Sequence, residues 1–173
     1  MAETQTGVRV ALADVGGATV ATGLPVLDHL LGELARTGRF GIALEVAPGS
    51  ADEEVAAAGR ALGGALAEPL RADGVSGAGW AILPADEALA AASVEVAPEP
   101  RVYSNVDFSG QRVAGLATDI VTRFLNEVAA GAGLTIHVRL LEGKDPQNVL
   151  VAIFKSLGAA LGQACRPPSG GAA

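Results

Sequence analysis

The sequence predicts an α+β fold made of two related half-domains, a sandwich with a central helical layer between two mixed β-sheets. Three observations predict it. Leu134, Ile136, Val138 and Leu140 alternate with Thr135, His137, Arg139 and Leu141, the period-two signature of a strand with one buried face, and His137 leaves by the other face. Directly afterwards Asp145-Pro146 reads as a helix N-cap with proline in the first turn, followed by a stripe of Val149, Leu150, Ile153, Phe154, Leu157 and Leu161. Finally, RALGGAL at 60–66 returns as KSLGAAL at 155–161. In each half a helix, a glycine turn, an alternating strand, a short loop with Gly49 or Gly143 and a small-residue helix follow in the same order. Two copies are too few for a solenoid. The halves, 1–75 and 76–165, are therefore expected to pack helix layer to helix layer with the sheets outside. Residues 166–173, rich in Pro and Gly, read as a loose tail.

In chain order, Val8, Val10 and Leu12 alternate with Arg9 and Ala11, and Asp14-Val15-Gly16-Gly17 turns the chain into 18–22, the pattern of a hairpin. Pro25 opens a helix with a core stripe of Leu27, Leu30, Leu31 and Leu34, and His29 and Glu33 share its opposite face. Gly38 ends this helix, and Ile42, Leu44 and Val46 mark a strand. Ser50 with Glu53 is a capping-box signature, and Val55, Ala58, Leu62 and Leu66 supply the buried side of the helix up to Pro69. Beyond a loop over 71–79, strands are expected at 80–83, 88–96 and 102–108. Leu116, Ile120, Phe124 and Val128 mark a helix ending near Gly131.

With 173 residues, 50% of them hydrophobic, the chain suits one compact domain or two fused halves with a sizeable core. A net charge of -7 repels a phosphate backbone, and 3% aromatic residues leave few platforms for stacking bases, so no nucleic-acid partner is expected. No apolar run is long enough to span a bilayer, and the first ten residues lack a basic region followed by an apolar stretch, so no membrane partner is expected either. Cys165 is the sole cysteine, which precludes an intrachain disulfide and fits a cytoplasmic location.

Four separated stretches carry a resemblance: ETQTGVRVAL at 3–12, TGLPVLDHLLGELARTG at 22–38, LPADEALA at 83–90 and TIHVRLLEGKDPQNVLVAIFKSL at 135–157. Together they resemble the imidazoleglycerol-phosphate dehydratases, manganese-dependent lyases of histidine biosynthesis. The resemblance implies a duplicated fold with helices between two sheets, in a cubic assembly of twenty-four subunits with sites at subunit interfaces. It also implies two manganese ions, held by histidines and a glutamate, that bind the substrate imidazole as an anion while a hydroxyl is eliminated. There the metals act as Lewis acids on a ring that otherwise resists deprotonation.

Each half of the family sequence places a His-His-x-x-Glu motif at the start of its small-residue helix. Here the first falls on Asp52, Glu53, Glu54, Val55 and Ala56, and the second on Gln147, Asn148, Val149, Leu150 and Val151. Of the family's ligands only His29 and His137 remain, and they are both of the chain's 2 histidines. One imidazole per ion falls short of the usual shell of about four ligands, so no cofactor is expected, with manganese as the alternative. The resemblance further gives Glu3, Arg101 and Lys155 a substrate-binding role and makes Asp86 and Glu87 the catalytic acidic pair. The family's arginine before Gly79 and its C-terminal Ser-x-Lys are absent, and Glu33 stands for a glutamine.

Each survivor also has a use outside catalysis. His29 suits a solvated or interface position, Asp52, Glu53 and Glu54 suit a helix N-terminus, and Lys155 with Arg101 could hold an anion without metal. The expected protein is a family member without manganese chemistry. It is a homo-oligomer, a partner of an intact homologue, or a binder of a small phosphorylated ligand. The enzymatic alternative is a working dehydratase in which Asp52 and Glu53 join His29 while Gln147 or Asn148 joins His137.

Overall fold

A computed structural model describes residues 5–107, 110–113 and 115–169. The first half runs β1 (Gly7–Leu12), β2 (Gly17–Ala21), α1 (Pro25–Gly38), β3 (Phe40–Glu45) and α2 (Ala51–Leu66), followed by a 3-10 turn at Pro69–Arg71. The second half runs β4 (Ala78–Ala85), β5 (Ala88–Val96), β6 (Arg101–Ser104), β7 (Arg112–Val113), β8 (Leu116–Ala117), α3 (Ile120–Ala132), β9 (Leu134–Glu142) and α4 (Pro146–Ala164). The sheet orders are β1-β3-β2 and β4-β5-β9-β6, with β7 and β8 forming a separate small ladder. Both large sheets are mixed in the same way: β1/β3 and β5/β9 are antiparallel, β2/β3 and β6/β9 parallel. The duplication read from RALGGAL and KSLGAAL is thus a duplication of topology, and the two copies lie in α2 and α4.

The four helices fill the space between the sheets, α1 against α4 and α2 against α3. Small residues make the approach close. Gly38 of α1 faces Gly158 and Gly162 of α4, and Gly59 and Gly63 of α2 face Phe124 and Val128 of α3. Phe124 and Phe154, both fully buried, stack with centroids 5.4 Å apart where the halves meet. Burial of this kind contributes about 1.5–3 kcal/mol per large apolar side chain.

The capping signals act as the sequence predicts. Ser50 accepts from Glu53 N while Glu53 accepts from Ser50 N, closing the box on α2. Asp145 accepts from Gln147 N at 2.9 Å and Asn148 N at 3.2 Å, with Pro146 in the first turn of α4.

Three expectations need correcting. β1 and β2 do not form a hairpin, because β3 lies between them; the crossover through α1 makes β2 parallel to β3, and the intervening turn passes over α1, where Gly16 sits against Ala35. The strand expected over 102–108 stops at Ser104. Asn105 then takes over the ladder through its side chain, donating to Leu140 O and accepting from Leu140 N, while Phe108 lies outside the described residues. Leu116 belongs to β8 rather than to a helix, since Thr118 N bonds back to Gln111 O and the helical path begins only at Ile120. The tail is fastened at its first residue. Arg166 donates to the carbonyls of Gly38, Gly162, Ala13 and Arg39, locking the end of α4 to the turn after α1. No helix among the described residues is long and apolar enough to cross a membrane.

Candidate functional site

His29 owes its position to the residue before it. Asp28 accepts from Thr22 N at 3.0 Å and from Thr22 Oγ1 at 2.6 Å, tying the end of β2 to the first turn of α1 and leaving His29 on the exposed side. There His29 lines a cavity of about 220 Å³ with Gln147 and Val151 of α4, walled by Val26, Leu30 and Leu150. Larger depressions lie elsewhere, one of about 590 Å³ around Trp80, Arg39 and Gln163, but neither histidine lines that one. The His29 cavity is therefore the candidate site, because it joins the first half's histidine to the second half's motif positions.

Within one chain, the residues around His29 differ from the partners that the sequence alone suggests for an altered metal site. Asp52 is bound to Arg123 of α3 at 3.0 Å, Glu53 closes the capping box, and Glu54 accepts from Gly49 N. All three acids serve the start of α2. Gln147 lies beside His29, not His137, and Asn148 donates to Glu87 at 2.7 Å. His137 is on the outer face of β9, paired in register with Ser93 and Tyr103, and its ring stacks on Tyr103 at 4.8 Å. Among the described residues no three His, Cys, Asp or Glu side chains converge as metal ligands.

The remaining sequence-predicted residues are dispersed. Glu3 lies outside the described residues. Asp86 and Glu87 form the exposed two-residue turn between β4 and β5, with Asp86 at φ 52, in the left-handed region. Glu87 is a loop clamp: its carboxylate accepts from Asp145 N, Asn148 Nδ2 and Lys144 N, and these bonds hold its pKa down at about 2. A group so saturated stays ionised and is a poor proton donor near neutrality. Lys155 donates to Pro84 O at 2.5 Å, and Arg101 pairs with Glu99 at 3.2 Å at the start of β6. Pro84 is on the β4 edge of the second sheet and Arg101 on the β6 edge, toward the opposite strand ends. Three strand spacings across and several residues along separate them by roughly 20 Å or more. The two cations do not form one anion site within a chain.

The sequence pattern of the imidazoleglycerol-phosphate dehydratase family matches residues 22–161, covering α1, both motif helices and nearly everything between them. The chain belongs to that family. An imidazoleglycerol-phosphate dehydratase of Desulfitobacterium hafniense is 34% identical over 171 residues, covering 95% of this chain and 86% of the relative. Among solved structures, the imidazoleglycerol-phosphate dehydratase of Staphylococcus aureus superposes with a TM-score of 0.85 at 25% identity, covering 94% of each chain. The Pyrococcus furiosus structure gives 0.82 at 25% identity, covering 100% of this chain and 96% of that one. The contact between α1 and α4 is the feature that sequence reasoning missed. Its signal was the glycine series Gly38, Gly158 and Gly162, which marks where two helices approach too closely for a Cβ.

Proposed function

We propose that this imidazoleglycerol-phosphate dehydratase-family protein does not carry out manganese-dependent dehydration and acts as a non-catalytic paralogue or subunit that binds a small molecule at His29. One observation carries the reading. Where the family resemblance expects a histidine and a glutamate on α4, the His29 cavity presents Gln147 and Val151 among aliphatic walls. One imidazole and one amide do not make the nitrogen- and carboxylate-rich shell that holds a divalent transition metal, and a valine supplies no donor at all. The acids of the first motif point the same way, because each is engaged at the start of α2. With no Lewis acid, nothing at the cavity stabilises an imidazolate, so elimination of a hydroxyl has no route through these side chains. Self-assembly, or co-assembly with an intact homologue in the cytoplasm, belongs to the same proposal.

The test is purification with manganese present, metal analysis, and a turnover assay on imidazoleglycerol phosphate with excess manganese. The expected result is far less than one bound ion per chain and no turnover above a metal-only control. Near-stoichiometric manganese together with turnover would overturn the proposal.

A further inference from the structure

The chain has one tryptophan, one tyrosine and two histidines, and three of these four side chains stand in a single row. Register carries the row across all four strands of the second sheet: Trp80 on β4 pairs with Ser93 on β5, Ser93 with His137 on β9, and His137 with Tyr103 on β6. The row lies on the outer face, because Ala92, Val94, Ile136 and Val138, which flank Ser93 and His137 in the chain, are buried on the other. Trp80 is 66% exposed and Tyr103 45%. The fold itself does not call for rings there. In the first sheet the copies of β9 and β6 are β3 and β2, and the outer face carries Gly41, Ala43 and Glu45 beside Gly17, Thr19 and Ala21.

The row has a gap at Ser93. Tyr103 and His137, on adjacent strands, stack with ring centroids 4.8 Å apart and planes 20° from parallel. That separation equals the spacing of neighbouring strands, about 4.8 Å. Ser93 holds the next position with a hydroxyl where a ring would continue the stack, and Trp80 stands one spacing beyond it. A planar ring above Ser93 therefore meets His137 on one face and Trp80 on the other, each at offset-stacking distance. Opposite charges flank this slot. Arg139 pairs with Ala91 and so lies diagonal to Ser93, within reach of a long side chain, while Glu95 is the next residue on the same face of β5 in the other direction. The ion pairs of the described residues involve neither of them.

We propose that the slot over Ser93 binds a single planar heterocycle that carries an anionic group and has N–H donors on its opposite edge. The ring stacks between His137 and Trp80, the anion pairs with Arg139, and the donor edge faces Glu95. A guanine-type edge suits that carboxylate, because it offers two parallel N–H donors to two acceptor oxygens. A polynucleotide fits poorly. The face offers two arginines, Arg101 is already paired with Glu99, and a net charge of -7 opposes a phosphate chain. One base with one anion uses every group of the slot and asks for no further cation. The site is separate from the His29 cavity and does not rest on the reading given to it.

Trp80 is the chain's sole tryptophan, so intrinsic fluorescence reports on this slot alone. The full chain is titrated with guanosine monophosphate, with guanosine, adenosine monophosphate and ribose phosphate as controls. Guanosine monophosphate is expected to quench Trp80 saturably at micromolar to millimolar concentration. Guanosine lacks the anion and adenosine monophosphate lacks the paired N–H donors, so each is expected to bind several-fold more weakly, and ribose phosphate, without a ring, not to quench. Ser93→Phe supplies the missing ring from within and is expected to abolish quenching with an unchanged circular dichroism spectrum. Arg139→Ala is expected to bring guanosine monophosphate down to the affinity of guanosine. Should Ser93→Phe unfold, the Arg139→Ala comparison decides alone. No saturable quenching by guanosine monophosphate, equal quenching by ribose phosphate, binding retained in folded Ser93→Phe, or an undiminished preference for the phosphate in Arg139→Ala would each overturn the proposal. So would a Trp80 shielded from acrylamide in the free protein, which would mean that a protein surface covers the face.

Discussion

Replacing Gly158 by alanine tests the contact that creates the candidate site. A Cβ at this position would lie 2.7 Å from Leu34 Cα and 2.6 Å from Thr37 Oγ1, and closer still to Leu34 O. Thr37 Oγ1 is itself committed, donating to Lys155 O at 2.7 Å across the same junction. Two opposed terms set the outcome. Alanine in a helix interior gains about 1 kcal/mol over glycine. Overpacking a core costs about 1–3 kcal/mol, and here the upper part of that range applies, because backbone cannot rotate aside as a side chain can. The net expectation is a loss of about 1–2 kcal/mol, a fall of roughly 0.5–1 M in the urea midpoint for a slope near 2 kcal/mol per M. Gly64 is the internal control. It lies in α2 with nothing within 4 Å of a built Cβ, so Gly64→Ala keeps only the helical gain and is expected to stabilise by up to about 1 kcal/mol. Urea denaturation of both variants beside the wild type is the assay. If Gly158→Ala were as stable as the wild type, α1 and α4 would not pack at the stated distance, and the juxtaposition of His29 with Gln147 would fall with it.

Glu87→Gln is expected to lower the melting temperature at pH 7 and to lose that deficit in acid. The Glu87 carboxyl is depressed from 4.5 to about 2 by the donors of Asp145, Asn148 and Lys144, so its stabilising contribution is complete above pH 4.5 and disappears as pH falls toward 2. Melting curves of both proteins across pH 2–7 should therefore converge at the acid end, and a deficit independent of pH would refute the clamp. Asp145→Ala removes the N-cap of α4, and denaturation should show a loss of about 1 kcal/mol. A loss below a few tenths would mean that Glu87 holds the helix start unaided.

What the sequence made legible was whatever depends on local pattern. The Ser50–Glu53 box, the Asp145-Pro146 start, the stripe of Leu27, Leu30, Leu31 and Leu34, and the alternation of β9 are each set by neighbours within a few positions, and each is in place. The readings that failed needed knowledge of what a segment meets far along the chain. β1 and β2 have hairpin spacing, but Phe40 to Glu45 lies between them, brought there by the crossover through α1. The partners of His29 could not be read from its own half either. Spacing along one helix ranks Asp52 and Glu53 as plausible neighbours as readily as Gln147, and only the glycine-lined approach of α4 to α1 decides between them.

That crossed pairing sets which of the two helix starts supplies neighbours to His29. Had each half built its own site, the acids at 52–54 would remain beside His29 as a carboxylate-rich substitute, and an oxygen-liganded ion would have donors at hand. Because α1 packs on α4, His29 instead depends on positions 147 and 151, which carry an amide and a methyl-bearing branch. Meanwhile Asp52, drawn toward Arg123 on α3, is occupied at the other helix junction. Histidines placed at 52 and 53 alone would therefore bring no new ligand beside His29 within the chain. Building a donor set beside His29 within the chain calls for substitutions in α4, Gln147→His together with Val151→Glu, on a helix whose start is already capped by Asp145 and clamped by Glu87.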